Sequence, residues 1–134
     1  MTQIKPAEKL QSKSEEMLAM VQKKLGVRPN MMKTMAHSSA TLEGYLNFSG
    51  ALSHGALPAK QREMIALAVA QANRCDYCLA AHGALGKLAG LLPEEIEKSR
   101  NAEAINDRDA AILRFSVQLV EQKGRVSADE IESL

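Results

Sequence analysis

The sequence contains very few aromatic residues. They make up 3% of the 134 residues, and tryptophan is absent. Because β-sheets are enriched in aromatic and β-branched side chains, this scarcity argues against a β-sandwich or barrel. The core must instead be filled by Ala, Leu, Ile, Val and seven methionines, a composition typical of packed helices. With 46% hydrophobic residues the chain is able to bury a core, so we expect one all-α domain over residues 1–134.

The sequence also lacks an excess of charge and any long apolar run. Seventeen basic residues face sixteen acidic ones, for a formal net charge of +1. This balance, with no long run of either sign, gives no indication of the strongly basic surface with which proteins bind nucleic acids or anionic membranes. No stretch approaches the roughly 20 apolar residues of a membrane span, and residues 1–14 contain no apolar signal-peptide core. We therefore expect a cytoplasmic protein with no nucleic-acid or membrane partner.

Cysteine occurs only twice, as Cys75 and Cys78. A disulfide between them would close too short a loop to be a strong structural staple. The Cys-x-x-Cys spacing is instead typical of a redox pair.

Apolar residues recur at three- and four-residue intervals, with no strand alternation and no internal repeat. Capping residues, glycines and prolines then predict where each helix begins and ends. The predicted helices cover residues 6–25, 30–36, 39–55, 58–73, 75–88, 93–100, 106–124 and 127 onward. The last helix would have about seven residues within the chain, which is marginal. We therefore expect either that the chain is truncated at its C-terminus or that a partner subunit completes this helix.

The helix over residues 75–88 is rich in small residues, including Gly83 and Gly86. Each glycine inside a helix costs about 1 kcal/mol relative to alanine. Such a surface is useful where another backbone comes close, either in the core or across a subunit interface.

The cysteine pair would lie at the N-terminus of this helix. Free backbone N–H groups and the helix dipole stabilise a thiolate there, and the thiolate is the reactive form. The carboxylate of Asp76 opposes a second negative charge on Cys75. This comparison favours Cys78 as the thiol with the lower pKa.

His82 lies four residues after Cys78, on the same face of the predicted helix. It is placed to take the proton of Cys78 directly or through a water, and such a base is normally held by a third group. If the helices flanking Asn73-Arg74 run antiparallel, Glu63 lies about 15 Å below the turn, His82 about 10 Å and Cys78 about 5 Å. Glu63 should therefore reach His82 more readily than the sulfur. The alternative for Glu63 alone is a solvated position on a helix surface.

Metal or haem binding by the same residues fits less well. A structural zinc site needs four ligands, and His37, His54 or Asp76 would have to supply the fourth. Covalent haem attachment requires histidine directly after the second cysteine, where this chain has Leu79. An iron–sulfur cluster on two cysteines would need a dimer. We therefore expect no metal and no cofactor.

Glu63, eleven intervening residues and then Cys75-x-x-Cys78-x-x-x-His82 form a specific pattern. It resembles the signature of the alkylhydroperoxidase D-like (AhpD-like) branch of the carboxymuconolactone decarboxylase family. The similarity extends over about residues 31–124, including the helix start at residues 57–60 and the apolar segment 65–69.

The resemblance implies an all-helical domain built around an antiparallel helix pair, which oligomerises as a trimer or hexamer. It also implies that Cys78 is the attacking thiolate and Cys75 the resolving thiol, with Glu63 and His82 as the proton relay. The best-known members differ from this chain in two ways: they carry histidine in place of Tyr77, and they continue for at least another helix. The decarboxylase branch lacks the paired cysteines, whose presence here argues against that activity.

These observations predict a thiol peroxidase that reduces a hydroperoxide through a dithiol–disulfide cycle. A lipoyl group or a thioredoxin-like protein would serve as the dithiol electron donor. Two alternatives remain: a disulfide reductase that serves a separate peroxidase, and an oligomeric redox sensor that does not turn over.

Overall fold

A computed structural model describes residues 4–132 of the chain, and the regular structure in that range is entirely α-helical. The all-α prediction is confirmed. The helices are α1 (Ser12–Leu25), α2 (Asn30–Met35), α3 (Ser39–Leu52), α4 (Ala59–Ala72), α5 (Asp76–Leu88), α6 (Pro93–Arg100), α7 (Asp107–Glu121) and α8 (Ala128–Glu132). Over residues 4–132, none of these helices has the length and apolar character needed to cross a bilayer.

Three helices are shorter than the sequence pattern predicted, and one of them, α7, ends at Glu121 rather than at Gly124. The first helix begins at Ser12 rather than near Pro6, because the preceding segment makes a tertiary backbone hydrogen bond instead of a helical one. The Ala7 N–H donates to the Lys33 carbonyl at 3.2 Å. The third ends at Leu52 rather than at Gly55. Its N-cap is Ser38, whose hydroxyl accepts from the Thr41 N–H, and not the neighbouring serine predicted for that role.

The chain divides into two compact units, residues 1–55 and 56–134. The first contains α1, α2 and α3, packed around Met17, Leu18, Ala36 and Leu42. In it the buried Ser14 hydroxyl donates to the Ala36 carbonyl at 3.1 Å. The single domain expected over residues 1–134 stays a prediction.

The second unit is organised around α4, which contacts α5, α6 and α7. Helix α4 occupies the middle because it carries apolar side chains on several faces. The unit's core consists of Met64, Leu67, Ala68, Leu91 and Leu113. The capping box predicted for α8 is present, since the Ser127 N–H donates to Glu130 Oε2 at 2.6 Å and the Glu130 N–H to Ser127 Oγ at 3.3 Å. The predicted continuation of this helix through Leu134 lies partly outside the described residues.

A two-residue link, Asn73 and Arg74, joins α4 to α5. Arg74 adopts a left-handed backbone conformation with φ 52°, and the Cys75 N–H donates to the Ala70 carbonyl at 2.9 Å. Together these features form a Schellman motif, the usual way of ending a helix with a sharp reversal. The reversal makes α4 and α5 antiparallel and places Cys75 immediately at the start of α5.

Candidate functional site

Cys75 and Cys78 form a disulfide at the N-terminus of α5, with their Cα atoms 5.3 Å apart. Both residues are partly buried. Cys75 is the N-cap residue of the helix, and its sulfur accepts a hydrogen bond from the Cys78 N–H at 3.2 Å. A sulfur in this position meets a free backbone donor and the positive end of the helix dipole, both of which favour a thiolate after reduction.

The sequence predicted backbone N–H groups near both sulfurs but did not identify Cys75 as the N-cap residue, and it favoured Cys78 because of the repulsion between Asp76 and Cys75. The available signal was the preference for a side-chain acceptor at the N-cap, a position for which cysteine is seldom considered. Asp76 is the first residue of α5 and is exposed. Water therefore screens its carboxylate, which weakens the argument against charge on Cys75.

Glu63 on α4 and His82 on α5 are hydrogen-bonded. Glu63 Oε2 lies 2.8 Å from His82 Nδ1, and the side chains are 20% and 34% exposed, respectively. Glu63 is therefore not a solvated residue on a helix surface. Because Nδ1 faces the carboxylate, the other ring nitrogen, Nε2, is left for a proton transfer elsewhere.

The cysteine pair lies at the start of α5 and His82 lies further along the same helix, whereas Glu63 belongs to α4. His82 is one turn after Cys78, on the same side of α5, and the antiparallel packing of α4 brings Glu63 opposite this turn. The structure thus brings a linked cysteine pair, a histidine and an orienting carboxylate into one part of the second unit. Between the cysteines, Tyr77 is 46% exposed.

The other two histidines belong to the first unit. The His37 ring is hydrogen-bonded to the Lys5 carbonyl, with Nε2 2.9 Å from the oxygen, and His54 follows α3 in an exposed turn. Over residues 4–132, no group of three or more His, Cys, Asp or Glu side chains is arranged to hold a metal ion.

Residues 39–122 match the model of the carboxymuconolactone decarboxylase family. Among solved structures, the chain is similar to an uncharacterized peroxidase-related protein from Ralstonia eutropha JMP134, described as an alkylhydroperoxidase AhpD core. The two are 26% identical with a TM-score of 0.84, over 100% of this chain and 76% of that one. It is also similar to an uncharacterized peroxidase-related protein from Silicibacter sp. TM1040, with 25% identity and a TM-score of 0.86, over 99% of this chain and 72% of that one. A comparison with curated proteins finds no match.

Proposed function

We propose a function from the premise that the chain belongs to the carboxymuconolactone decarboxylase family, in its alkylhydroperoxidase D-like branch. The proposed function is that of a thiol peroxidase, which reduces hydroperoxides by cycling Cys75 and Cys78 between dithiol and disulfide. One observation carries this proposal: the 2.8 Å hydrogen bond between Glu63 and His82, one helical turn from the cysteine pair. A histidine held by a carboxylate beside a thiol is the arrangement that activates a sulfur nucleophile.

In the proposed first step, the thiol proton of Cys78 passes to Nε2 of His82. The resulting thiolate attacks the terminal oxygen of the hydroperoxide. A sulfur–oxygen bond forms as the oxygen–oxygen bond breaks, and the leaving alkoxide takes a proton from His82. The products are an alcohol, or water from hydrogen peroxide, and a sulfenic acid on Cys78. Glu63 holds the ring and stabilises its transient positive charge.

In the second step, the Cys75 sulfur attacks the sulfenic sulfur of Cys78, a disulfide forms and water leaves. A dithiol donor, either a lipoyl group or a thioredoxin-like protein, then attacks the disulfide and restores the thiols while it is itself oxidised. If the donor attacks Cys78, then Cys75 leaves as a thiolate that accepts the Cys78 N–H. A thiolate stabilised in this way is a better leaving group. Because the cycle requires a reducing compartment, we place the protein in the cytoplasm.

The hydrogen bond to Cys75 also supports a second assignment of roles, in which Cys75 attacks the peroxide and Cys78 resolves. The two single serine variants separate the assignments. If Cys78 attacks, Cys78→Ser loses peroxide consumption altogether, whereas Cys75→Ser leaves a sulfenate that dimedone traps. The reverse pattern would establish Cys75 as the nucleophile, and full activity in both variants would contradict the proposal.

The test is peroxide consumption by the purified chain, supplied with dihydrolipoamide or with thioredoxin and its reductase. Glu63→Gln should lower turnover by about 100-fold or more, as expected for loss of general acid–base assistance. The matched control is Glu97→Gln on the exposed side of α6, where the side chain is 68% exposed and pairs only with Arg100 among the described contacts. It should leave turnover unchanged.

A disulfide reductase that serves a separate peroxidase is the second candidate, and the exposure of Tyr77 between the cysteines favours it. A protein surface is able to approach a cysteine pair whose two intervening residues, Asp76 and Tyr77, are both exposed to solvent. In this case the purified chain would reduce a protein disulfide with dihydrolipoamide but would not consume peroxide. A redox sensor would show one slow oxidation and no turnover with either substrate.

We also propose that the chain assembles as a homo-oligomer, either a trimer or a hexamer. This rests on Tyr77 and Leu88, the large apolar residues that α5 exposes, which are 46% and 84% exposed. They lie eleven residues apart, which puts them on the same side of the helix, and exposed apolar surface of this kind is where a second subunit would pack. Light scattering during gel filtration measures the mass directly, and a monomer at micromolar concentration would contradict this part of the proposal.

A further inference from the structure

Gly86 lies one turn beyond His82 on the same side of α5 and is buried. A Cβ atom built on it would lie 2.8 Å from Leu91 Cδ1 and 3.8 Å from Glu63 Cβ. Real Cβ atoms do not approach other heavy atoms within 3.0 Å, so the space that a side chain would need here is already filled. Gly83, in the same helix, has nothing within 4 Å of its Cβ position. The two glycines therefore differ in whether the helix has room for a Cβ atom: Gly83→Ala would be free of clashes, whereas Gly86→Ala would collide with Leu91.

The space beside Gly86 is filled because the chain reverses just after α5. Gly90 adopts φ 89°, and the Leu91 N–H donates to the Gly86 carbonyl at 2.8 Å. This bond folds Leu91 back over the helix, where it is 4% exposed and joins Met64 in the core cluster of the second unit. Leu91 thus occupies the place of the missing Gly86 side chain, close to the stem of Glu63.

We propose that Gly86 is a positioning residue for the Glu63–His82 pair. Because it has no side chain, Leu91 packs across α5 beside the stem of Glu63, and α4 and α5 approach closely enough for the carboxylate to meet His82 Nδ1. The catalytic consequence of this role rests on the proposed peroxidase function. The positioning itself is a property of the folded protein and is measurable without turnover.

Gly86→Ala forces one of two responses. Either the Leu91 side chain moves, or α5 moves away from its neighbours. Leu91 is confined by the core cluster that contains Met64, Leu67 and Leu113, so its freedom to move is small. We therefore expect α5 to shift relative to α4, which lengthens the Glu63–His82 hydrogen bond. A lengthening of about 1 Å is enough to lower the efficiency of a catalytic pair by about 100-fold.

The direct test is the ¹⁵N chemical shift of the His82 ring, assigned with His82→Gln. Nδ1 bonded to a carboxylate differs in shift from a free nitrogen, and Glu63→Gln provides the reference for the broken pair. We expect Gly86→Ala to move the Nδ1 shift most of the way to the Glu63→Gln value. Gly83→Ala, the matched control, should keep the wild-type shift and raise the melting temperature by about 2 to 4 °C, since alanine is the better helix former. A wild-type shift in Gly86→Ala would overturn the inference.

A second variant tests the physical cause. Leu91→Ala removes both atoms of Leu91 that lie near the Gly86 Cβ position. In the Gly86→Ala background it should therefore restore the wild-type Nδ1 shift, even though the emptied core lowers stability. If Gly86→Ala alone does not fold, the double variant must both fold and show the wild-type shift. A folded double variant with the shift of a broken pair would also overturn the inference.

Turnover gives the catalytic readout. Gly86→Ala should lower kcat by about tenfold or more at unchanged KM, with a pH–rate profile like that of Glu63→Gln, and Leu91→Ala should restore most of the loss. If the wild-type chain consumes no peroxide, the proposed function fails, while the ring shifts still decide the role of Gly86. If the wild-type is active and Gly86→Ala shows both a wild-type shift and a wild-type profile, only the role of Gly86 is lost.

Discussion

The turns at the two ends of α5 have the same backbone design but use it for different purposes. Each ends a helix with a left-handed residue, and in each the next residue donates its N–H to a carbonyl five residues earlier. At the first turn the donating residue is Cys75, whose side chain caps α5 and enters the disulfide. At the second turn it is Leu91, whose side chain enters the core. One geometry therefore holds a partly buried disulfide sulfur at one end of α5 and an anchoring side chain in the core at the other.

The two turns also differ in the residue that takes the left-handed conformation. The second uses Gly90, for which a positive φ is free of strain. The first uses Arg74, for which the same conformation costs about 1 kcal/mol or more. The difference teaches that the stability of this hairpin is concentrated at the second turn, while the first carries the proposed redox pair and some backbone strain. Substitutions at the two turns should therefore differ in size and even in sign.

The largest expected effect is at Leu91. Leu91→Ala should lower the free energy of unfolding by about 2 to 5 kcal/mol, because it removes a buried side chain and leaves a cavity in the core. Denaturant unfolding followed by circular dichroism measures this loss. The neighbouring Leu92, which is 56% exposed, is the matched control. Equal losses in Leu91→Ala and Leu92→Ala would contradict the anchoring role of the second turn.

Gly90→Ala should destabilise the protein by about 1 to 2 kcal/mol. No atom lies within 4 Å of its Cβ position, so the cost comes from the positive φ and not from a clash. Gly50→Ala in α3 is a useful control, since its Cβ position is also open but its backbone is helical. It should be neutral or stabilising in the same unfolding measurement. A neutral Gly90→Ala would show that the second turn tolerates a side chain as well as the first.

Most helix ends were predictable from the sequence because they carry residues whose own backbone and side-chain preferences favour a helix terminus. Pro58, Asn73 and Asn106 flank α4 and α7 as predicted. The approach of Glu63 to His82 was also predictable, because a two-residue link between antiparallel helices leaves little freedom in their register. Both inferences needed only local sequence and the helical rise.

Other features could not be predicted from the sequence, because they depend on tertiary contacts or on backbone conformations that the residue type does not favour. Arg74, Ala102 and Lys123 all have positive φ, with values from 52° to 56°, where the sequence rules expect glycine. For α7 this misled the prediction: the helix ends at Glu121 and not at the glycine three residues later. The role of Gly86 could not be read from its own helix, because the atom that fills its space belongs to a residue beyond the next turn.

The capping role of Cys75 gives a smaller expected effect. Cys75→Ser and Cys75→Ala both abolish the disulfide, but only serine keeps an acceptor for the Cys78 N–H. The serine variant should therefore be more stable by about 1 kcal/mol, the usual value of an N-cap side chain. Unfolding of both variants under reducing conditions isolates this term from the disulfide. Identical stabilities would show that the sulfur does not act as a cap.

Directly after the second turn, the N-terminus of α6 is capped by a carboxylate, so the strength of this cap depends on pH. Glu95 Oε2 accepts from the Leu92 N–H at 2.8 Å, and Oε1 pairs with Lys60. These contacts, the backbone N–H first, hold the pKa of Glu95 below the ordinary value of a glutamate carboxyl. A lowered pKa in the folded state stabilises the protein above the unfolded pKa, and this stabilisation is lost as pH falls through the folded value.

Glu95→Gln should therefore be less stable than the wild-type at pH 7, by about 0.3 to 1 kcal/mol. The difference should shrink as the pH falls below about 4.5, because protonation makes the two side chains alike. Unfolding curves at several pH values measure this convergence. A stability difference that stays constant down to pH 3 would exclude the carboxylate as its source.

The smallest expected effect has the opposite sign and concerns Arg74. Arg74→Gly should relieve the strain of the left-handed conformation, but glycine also gains freedom in the unfolded chain, so the net gain is about 0.5 kcal/mol. Arg114→Gly, at an exposed position in the middle of α7, is the control and should be destabilising by about 1 kcal/mol. Unfolding of both variants and the peroxide assay decide the outcome. A more stable Arg74→Gly with unchanged turnover would show that the first turn holds Cys75 through its backbone, whereas lost turnover would assign the guanidinium a part in the chemistry.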